Sequence, residues 1–330
     1  MIEFQDVVKT FRVPQKEAGL AGSLKAVLKP RYIDKKALDK VSCFIGAGEI
    51  LGLVGANGAG KTTLVKILSG IVFPTSGEIK VLGYRPSDRE NAFKKQISLI
   101  LGQKAQLWWD LTALDCFELL QEIYQIPESL FRKNLTRLTE MLDVGAHYQT
   151  QIRRLSLGER MKMELIAALL HQPRVVFLDE PTIGLDFTAQ KSIRKFLKEY
   201  SKDYKPAMIL TSHYMEDIKY LCERVAIIRN GKFVYDGALK DVSSGITSKR
   251  LIKIRWAGTV NASFKETLQS LGGSLVSFEA DSVAIEVPLD RMKVFTGFIF
   301  ENAQVEDMSI EEPDIASSIE AIMTTNQAGA

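Results

Sequence analysis

Gly55-Ala56-Asn57-Gly58-Ala59-Gly60-Lys61-Thr62-Thr63 satisfies the pattern GxxxxGK[ST] at every fixed position. Before it, Glu49-Ile50-Leu51-Gly52-Leu53-Val54 is a short apolar run bounded by glycines, which reads as a buried strand. After it, Thr62 to Ser69 has helical spacing. Strand, glycine loop and helix form the setting the pattern requires. Successive backbone N–H groups and the positive end of a helix dipole surround an anionic phosphate there. Gly55, Gly58 and Gly60 let the backbone approach and turn, with Asn57 and Thr63 in the same wrap. Lys61 would reach the β- and γ-phosphates of a nucleotide, and the Thr62 hydroxyl would ligate Mg²⁺.

The 330 residues exceed the usual size of one domain, so a large and a small domain are expected. Hydrophobic content of 46% and charge of 25% are ordinary for a globular chain with a sizeable core. A net charge of +3 is too weak to argue for a nucleic-acid partner. Cys43, Cys116 and Cys222 are widely spaced and show no metal-ligand pattern, which suggests a reducing compartment. No run approaches the roughly 18 apolar residues of a membrane span, and MIEFQDVV resembles neither a signal nor a transit peptide. A cytosolic protein is expected, with membrane association through a partner or a surface helix.

Outward from the loop, Ile2 to Phe11 and Ala37 to Ile45 read as strands. Between them lies a basic insert, residues 14–36, in which Leu20, Leu24, Val27 and Leu28 share one helical face. It reads equally as a solvated decoration and as a membrane-surface or partner-contacting helix. Strands are predicted over Glu78 to Leu82, Ile97 to Leu101, Val175 to Leu178 and Ala207 to Thr211, and the Asn230-Gly231 pair marks a hairpin. A helical insertion spans about residues 104–165, with one stripe at Leu114, Phe117, Leu120 and Tyr124 and another at Leu135, Leu138, Met141 and Leu142. Ser/Gly/Lys content rises over Asp241 to Lys249, a linker signal. Residues 246–330 then alternate strand-like and helix-like segments, a small α+β domain of about four strands and three helices with no recognisable catalytic group.

A phosphate loop needs an acidic element to hold Mg²⁺ and place a nucleophile, and Val175-Val176-Phe177-Leu178-Asp179-Glu180 supplies one. The apolar residues bury the strand, so Asp179 emerges at a fixed point near the metal. Glu180 is the adjacent carboxylate placed to polarise an attacking water.

GANGAGKTT, Gln103, LSLGER, VVFLDEP, GLD and His213, in this order over about residues 1–238, resemble an ATP-binding cassette (ABC) nucleotide-binding domain. The resemblance implies an α/β fold of the P-loop NTPase class: a RecA-like core, an antiparallel β-subdomain and a helical insertion over residues 1–240, followed by the C-terminal domain. It implies ATP and Mg²⁺ as ligands. Gln103 resembles the loop glutamine that touches Mg²⁺ and senses the γ-phosphate, and His213 the switch histidine that holds the γ-phosphate and positions Glu180. Phe11 matches the aromatic residue that stacks on adenine, usually Tyr. Ser156 and Gly158 belong to a signature usually written LSGGQ, which binds the γ-phosphate held by an opposing subunit. Two cassettes would sandwich two ATP molecules, with Asp186 coupling the two sites. Leu157 and Glu159 depart from that signature.

The resemblance further implies an ATPase subunit that powers a transporter from the cytoplasmic face of the membrane, held there by its permease. Trp108 and Trp109 lie just after Gln103, where the family cups a permease helix; buried anchoring and packing within the insertion are both open to them. The basic insert and C-terminal domain resemble those of bacterial exporters in which the ATPase and a small permease of about six helices are separate chains. An importer subunit and a regulatory ATPase without a permease are the alternatives, and cargo ranges over drug-like amphiphiles, lipids and glycans.

Overall fold

The computed structural model describes residues 1–15, 31–102, 104–244, 249–261, 263–311, 319 and 322. Gln103, residues 16–30 with the helical face of Leu20, Leu24, Val27 and Leu28, residues 245–248 of the linker, Ala262, and residues 312–330 other than 319 and 322 lie outside the described residues. The chain divides into two compact units, Met1–Asp236 and Gly237–Ala330.

In the first unit, β1 (Ile2–Gln15), β2 (Arg31–Ile45), β3 (Ile50–Val54), β4 (Ser76–Val81), β5 (Ile97–Leu101), β6 (Val175–Asp179), β7 (Ala207–Thr211), β8 (Arg224–Arg229) and β9 (Lys232–Ala238) form two sheets. The larger has the order β5-β6-β7-β3-β8-β9, with parallel pairing from β5 through β8. Every residue of β3, β6 and β7 is buried, which is why these strands read as unbroken apolar runs rather than alternating ones. Its register sets Leu101 beside Asp179, Asp179 beside Thr211, and Thr211 beside Leu53. The segments after β3, β5, β6 and β7 therefore leave one sheet edge together, the edge at which open α/β sheets bind ligands. Asn230 and Gly231, at φ 50° and 79°, join β8 to β9 in the doubly left-handed turn that this pair favours.

The smaller sheet, β2-β1-β4, is antiparallel. Here the sequence reading is corrected: β1 and β2 run on to pair Gln15 with Arg31, so residues 31–36, assigned above to the insert, are strand. This outer part of the ribbon is exposed and held by cross-strand partners such as Val13 opposite Ile33 and Arg12 opposite Asp34. A ribbon solvated on both faces has no reason to alternate, and periodicity misses it.

The helices are α1 (Lys61–Leu68), α2 (Ala113–Tyr124), α3 (Glu128–Leu142), α4 (Leu157–Leu169), α5 (Phe187–Tyr204) and α6 (Met215–Leu221). α2 opens on a reciprocal cap in which Thr112 accepts from the Asp115 N–H and Asp115 accepts from the Thr112 N–H. Its buried side is Ala113, Cys116 and Phe117, rotated from the predicted stripe, with Leu120 and Tyr124 half-buried. On α3 the predicted Leu138 and Leu142 are buried, joined by Phe131 and Asn134. No helix among the described residues is long and apolar enough to cross a membrane.

The second unit carries β10 (Lys249–Ala257), α7 (Phe264–Ser270), β11 (Ser274–Phe278), β12 (Ser282–Pro288), α8 (Met292–Asn302) and β13 (Gln304–Glu311), a βαββαβ arrangement with antiparallel strand order β11-β12-β10-β13. Alternation is clean here: Ile252, Ile254 and Trp256 pack with Val283, Ile285, Val287, Phe264 and Phe295, while Lys253 and Arg255 face solvent.

Candidate functional site

The loop after β3 turns into α1 through Gly60, whose φ of +118° few side chains adopt. A Cβ there would also lie 2.6 Å from the Ala37 carbonyl oxygen of β2, so the turn and the sheet contact both require glycine. Asn57 and Gly58 are exposed at the mouth of the loop, and Gly58 has open space where a Cβ would be. Lys61 is 5% exposed, its Nζ donating to the carbonyls of Gly55 at 2.6 Å and Ala56 at 3.2 Å. Burial pulls its ammonium below the ordinary lysine range, and the carboxylates of Glu180 and Asp179 pull it partly back. Thr63 follows, half-buried.

Thr62 Oγ1 donates to Asp179 Oδ1 at 3.2 Å, and Thr211 Oγ1 donates to the same oxygen at 2.7 Å. A hydroxyl and a carboxylate side by side are the hard oxygen donors that suit Mg²⁺, which takes few protein ligands and completes its shell with phosphate and water.

Glu180 begins the turn after β6 with φ +58°, a left-handed conformation that costs about 1 kcal/mol for a residue with a side chain. The surroundings hold it there: its N–H donates to the Thr211 carbonyl at 3.0 Å and to Thr211 Oγ1 at 3.1 Å. Opposite, Gly102 donates its N–H to the Asp179 carbonyl, and a Cβ on it would lie 2.0 Å from the Glu180 carbonyl oxygen. His213, after β7, reaches across so that Nε2 is 2.7 Å from Glu180 Oε1. The fold therefore gathers Lys61, Thr62, Asp179, Glu180 and His213 at one sheet edge.

Phe11 lies on β1 opposite Lys35, two residues from the Ala37 whose carbonyl abuts Gly60. Its ring is 37% exposed, with the Lys9 ammonium 4.8 Å from the centroid.

The signature residues form a separate group. Ser156 caps α4, and Glu159 returns the bond: its carboxylate accepts from the Ser156 N–H at 2.9 Å and hydroxyl at 2.7 Å, while its other oxygen is 2.9 Å from His147 Nδ1. The spacing Ser-x-x-Glu was the available signal for this cap. Leu157 packs toward Gly184, and a Cβ on Gly158 would be 3.0 Å from the Ala189 Cβ. Asp186 caps α5 by accepting from the Ala189 N–H at 2.9 Å. Ser156, Gly158 and Asp186 are thus tied to one another by α4 and α5.

A cleft of about 340 Å³ adjoins the segment after Gln103, lined by Ile71, Leu107, Trp108, Leu120, Tyr124 and Glu164. Trp108 and Trp109 are 43% and 52% exposed, so neither is packed inside the insertion, and Arg160 sits over the Trp109 ring at 5.4 Å. The sequence reading missed Glu164, which is buried on α4 and accepts from the Gln106 N–H at 3.3 Å. Burial pushes its carboxyl from 4.5 up to about 7.

The folded chain thus keeps this proton up to a pH near 7, while the unfolded chain releases it near 4.5. The stability it contributes is fully present below the lower value and is lost as pH rises through the higher one. Glu164→Gln is expected to gain on the order of 1 to 3 kcal/mol relative to wild type between about pH 5 and pH 8. Urea unfolding of both proteins at the two pH values checks this; parallel pH profiles would contradict it.

Residues 38–183 match the family model described as ABC transporter. The chain is 30% identical to the daunorubicin resistance ATP-binding protein DrrA3 of Streptomyces coeruleorubidus, across 87% of this chain and 88% of that protein. It is 31% identical to the linearmycin resistance ATP-binding protein LnrL of Bacillus subtilis, across 74% and 78%. Against the cholesterol transporter ABCA5 of Rattus norvegicus it is 32% identical, but spans only 14% of that protein's length. Among solved structures, its fold is like that of a dimeric ATP-binding cassette bound to ADP and Pi, with TM-score 0.60 and 22% identity across 72% of this chain and 98% of the other. By its identity to these ATP-binding proteins over most of both chains, the chain belongs to the ABC transporter family as an ATP-binding ATPase subunit.

Proposed function

We propose that this subunit dimerises on ATP at the cytoplasmic face of the membrane and drives an exporter through a separate integral membrane permease. The observation that carries the catalytic part is the Glu180–His213 pair, 2.7 Å apart beside the Thr62–Asp179 oxygens. In this reading Lys61 exchanges the Gly55 and Ala56 carbonyls for β- and γ-phosphate oxygens, while the N–H groups from Asn57 through Thr63 wrap the phosphates. Thr62 and Asp179, with Gln103, would hold Mg²⁺, which would supply positive charge against the charge that develops on the phosphates. Glu180 accepts a hydrogen bond from the attacking water and orients it toward the γ-phosphorus. His213 fixes Glu180 and reaches the γ-phosphate. Phe11 offers its exposed face to adenine.

Ser156 caps α4, and Gly158 lies against Ala189 of α5, the helix that Asp186 caps, which supports their acting together on ATP held by a second copy, with Asp186 linking the two sites. The dimeric state of the cassette described with ADP and Pi supports the same arrangement. Export is supported by the drug-resistance relatives. ATP turnover of the Glu180→Gln variant tests the catalytic reading.

The half-exposed tryptophans beside the apolar cleft support its use as the permease seat, since aromatic anchors dominate such contacts. Replacing Trp108 and Trp109 with Ala is expected to lower copurification with the permease about tenfold or more, with ATP binding and thermal stability retained. Undiminished copurification would remove the cleft from the permease interface.

A further inference from the structure

Asp217, in the first turn of α6, is wholly buried, and three side chains donate to its carboxylate. Oδ2 accepts from Ser212 Oγ at 2.6 Å and from Thr182 Oγ1; Oδ1 accepts from Arg194 Nη1 of α5 at 3.1 Å. Thr182 and Ser212 are themselves 1% and 3% exposed, so none of these bonds competes with water. Thr182 lies two residues after Glu180, and Ser212 immediately precedes His213. The segment bearing His213 is closed further: the Tyr214 N–H donates to Ser212 Oγ at 3.0 Å, and the Asp217 N–H donates to the Tyr214 carbonyl at 3.0 Å.

One carboxylate oxygen is therefore the common tether of the two turns that present Glu180 and His213 to each other. Resting on the reading of that pair as catalytic, we propose that Asp217 is the positioning residue that sets the Glu180–His213 approach, through Thr182 on one side and Ser212 on the other. Arg194 compensates the buried charge, which frees Oδ2 for the two hydroxyls. The partners of Asp217, namely Thr182, Arg194 and Ser212, lie outside the phosphate loop, so loss of the tethers acts on the chemical step and not on nucleotide binding.

Removing Asp217 would strand the Arg194 charge and endanger the fold, so the test removes the tethers and keeps the ion pair. Thr182→Val and Ser212→Ala are each expected to lower kcat for ATP about three- to tenfold, and the double variant about 10²-fold, with KM for ATP unchanged. Thr182→Ser restores the hydroxyl and is expected to restore turnover. Wild-type kcat in a folded double variant would overturn the proposal, as would a fall in kcat matched by equal losses in ATP affinity and thermal stability. Those outcomes are separate from failure of the underlying reading, which would appear as undiminished turnover in Glu180→Gln.

Discussion

Glu180→Gln is expected to cut ATP turnover by about 10²- to 10³-fold while ATP affinity stays near the wild-type level. The substitution keeps the shape and leaves a hydrogen-bonding partner for His213 Nε2 across the present 2.7 Å. What it removes, in the proposed mechanism, is the carboxylate that would orient and accept from the attacking water. In the proposed mechanism binding rests instead on Lys61, Thr62 and the loop N–H groups. Single-turnover hydrolysis and equilibrium ATP binding separate the two effects. Comparable losses in both would move Glu180 from chemistry to binding.

The second large effect is expected at Gly102, a position with no chemistry of its own. A methyl there would sit 2.0 Å from the Glu180 carbonyl oxygen and 2.8 Å from its carbonyl carbon, both backbone atoms. Neither side can yield cheaply. Gly102 is bonded to the Asp179 carbonyl, and Glu180 is held at φ +58° by two bonds from its N–H to Thr211. Gly102→Ala must therefore displace the Glu180 turn, and a shift of about 1 Å at a reacting group lowers turnover on the order of 10²-fold. Overpacking adds a stability loss of about 1 to 3 kcal/mol. Gly297→Ala, on α8 with nothing within 4 Å of its Cβ position, is the control, expected to leave turnover unchanged. Wild-type kcat in Gly102→Ala would show that the turn does not need its present geometry.

These two positions show what could be read from the chain and what could not. Lys61, Thr62, Asp179 and Glu180 were legible because phosphate and metal chemistry fixes residue types at local spacings on either side of buried apolar strands. The parallel core was legible for the same reason that β3, β6 and β7 read as unbroken apolar runs. Asp217 and Glu164 were not, because each is bonded to a partner distant in sequence: Thr182 is 35 residues from Asp217, and Gln106 is 58 from Glu164. Nothing nearby in the chain distinguishes Asp217 from the exposed carboxylates typical of a helix start. Gly102 was visible only as the end of a strand, since its requirement comes from a turn on another segment. The outer β1–β2 ribbon escaped for the opposite reason, having no buried face to impose a period.

The signature helix adds a chemical refinement. Glu159 occupies the Ser156 hydroxyl and N–H in a reciprocal cap, and His147 partners the remaining oxygen. Any phosphate brought by a second copy must draw the Ser156 hydroxyl away from this carboxylate. In the proposed dimer, Glu159 is therefore a competitor on the same chain for the hydroxyl that would close the site.

In the proposed mechanism each chain carries half of two sites, and ATP joins the halves. Sedimentation of the Glu180→Gln chain at saturating Mg²⁺ and ATP, against the same chain without nucleotide, measures this directly. The expected result is a two-chain species with ATP and a one-chain species without it. A single-chain mass with ATP demonstrably bound would contradict the account.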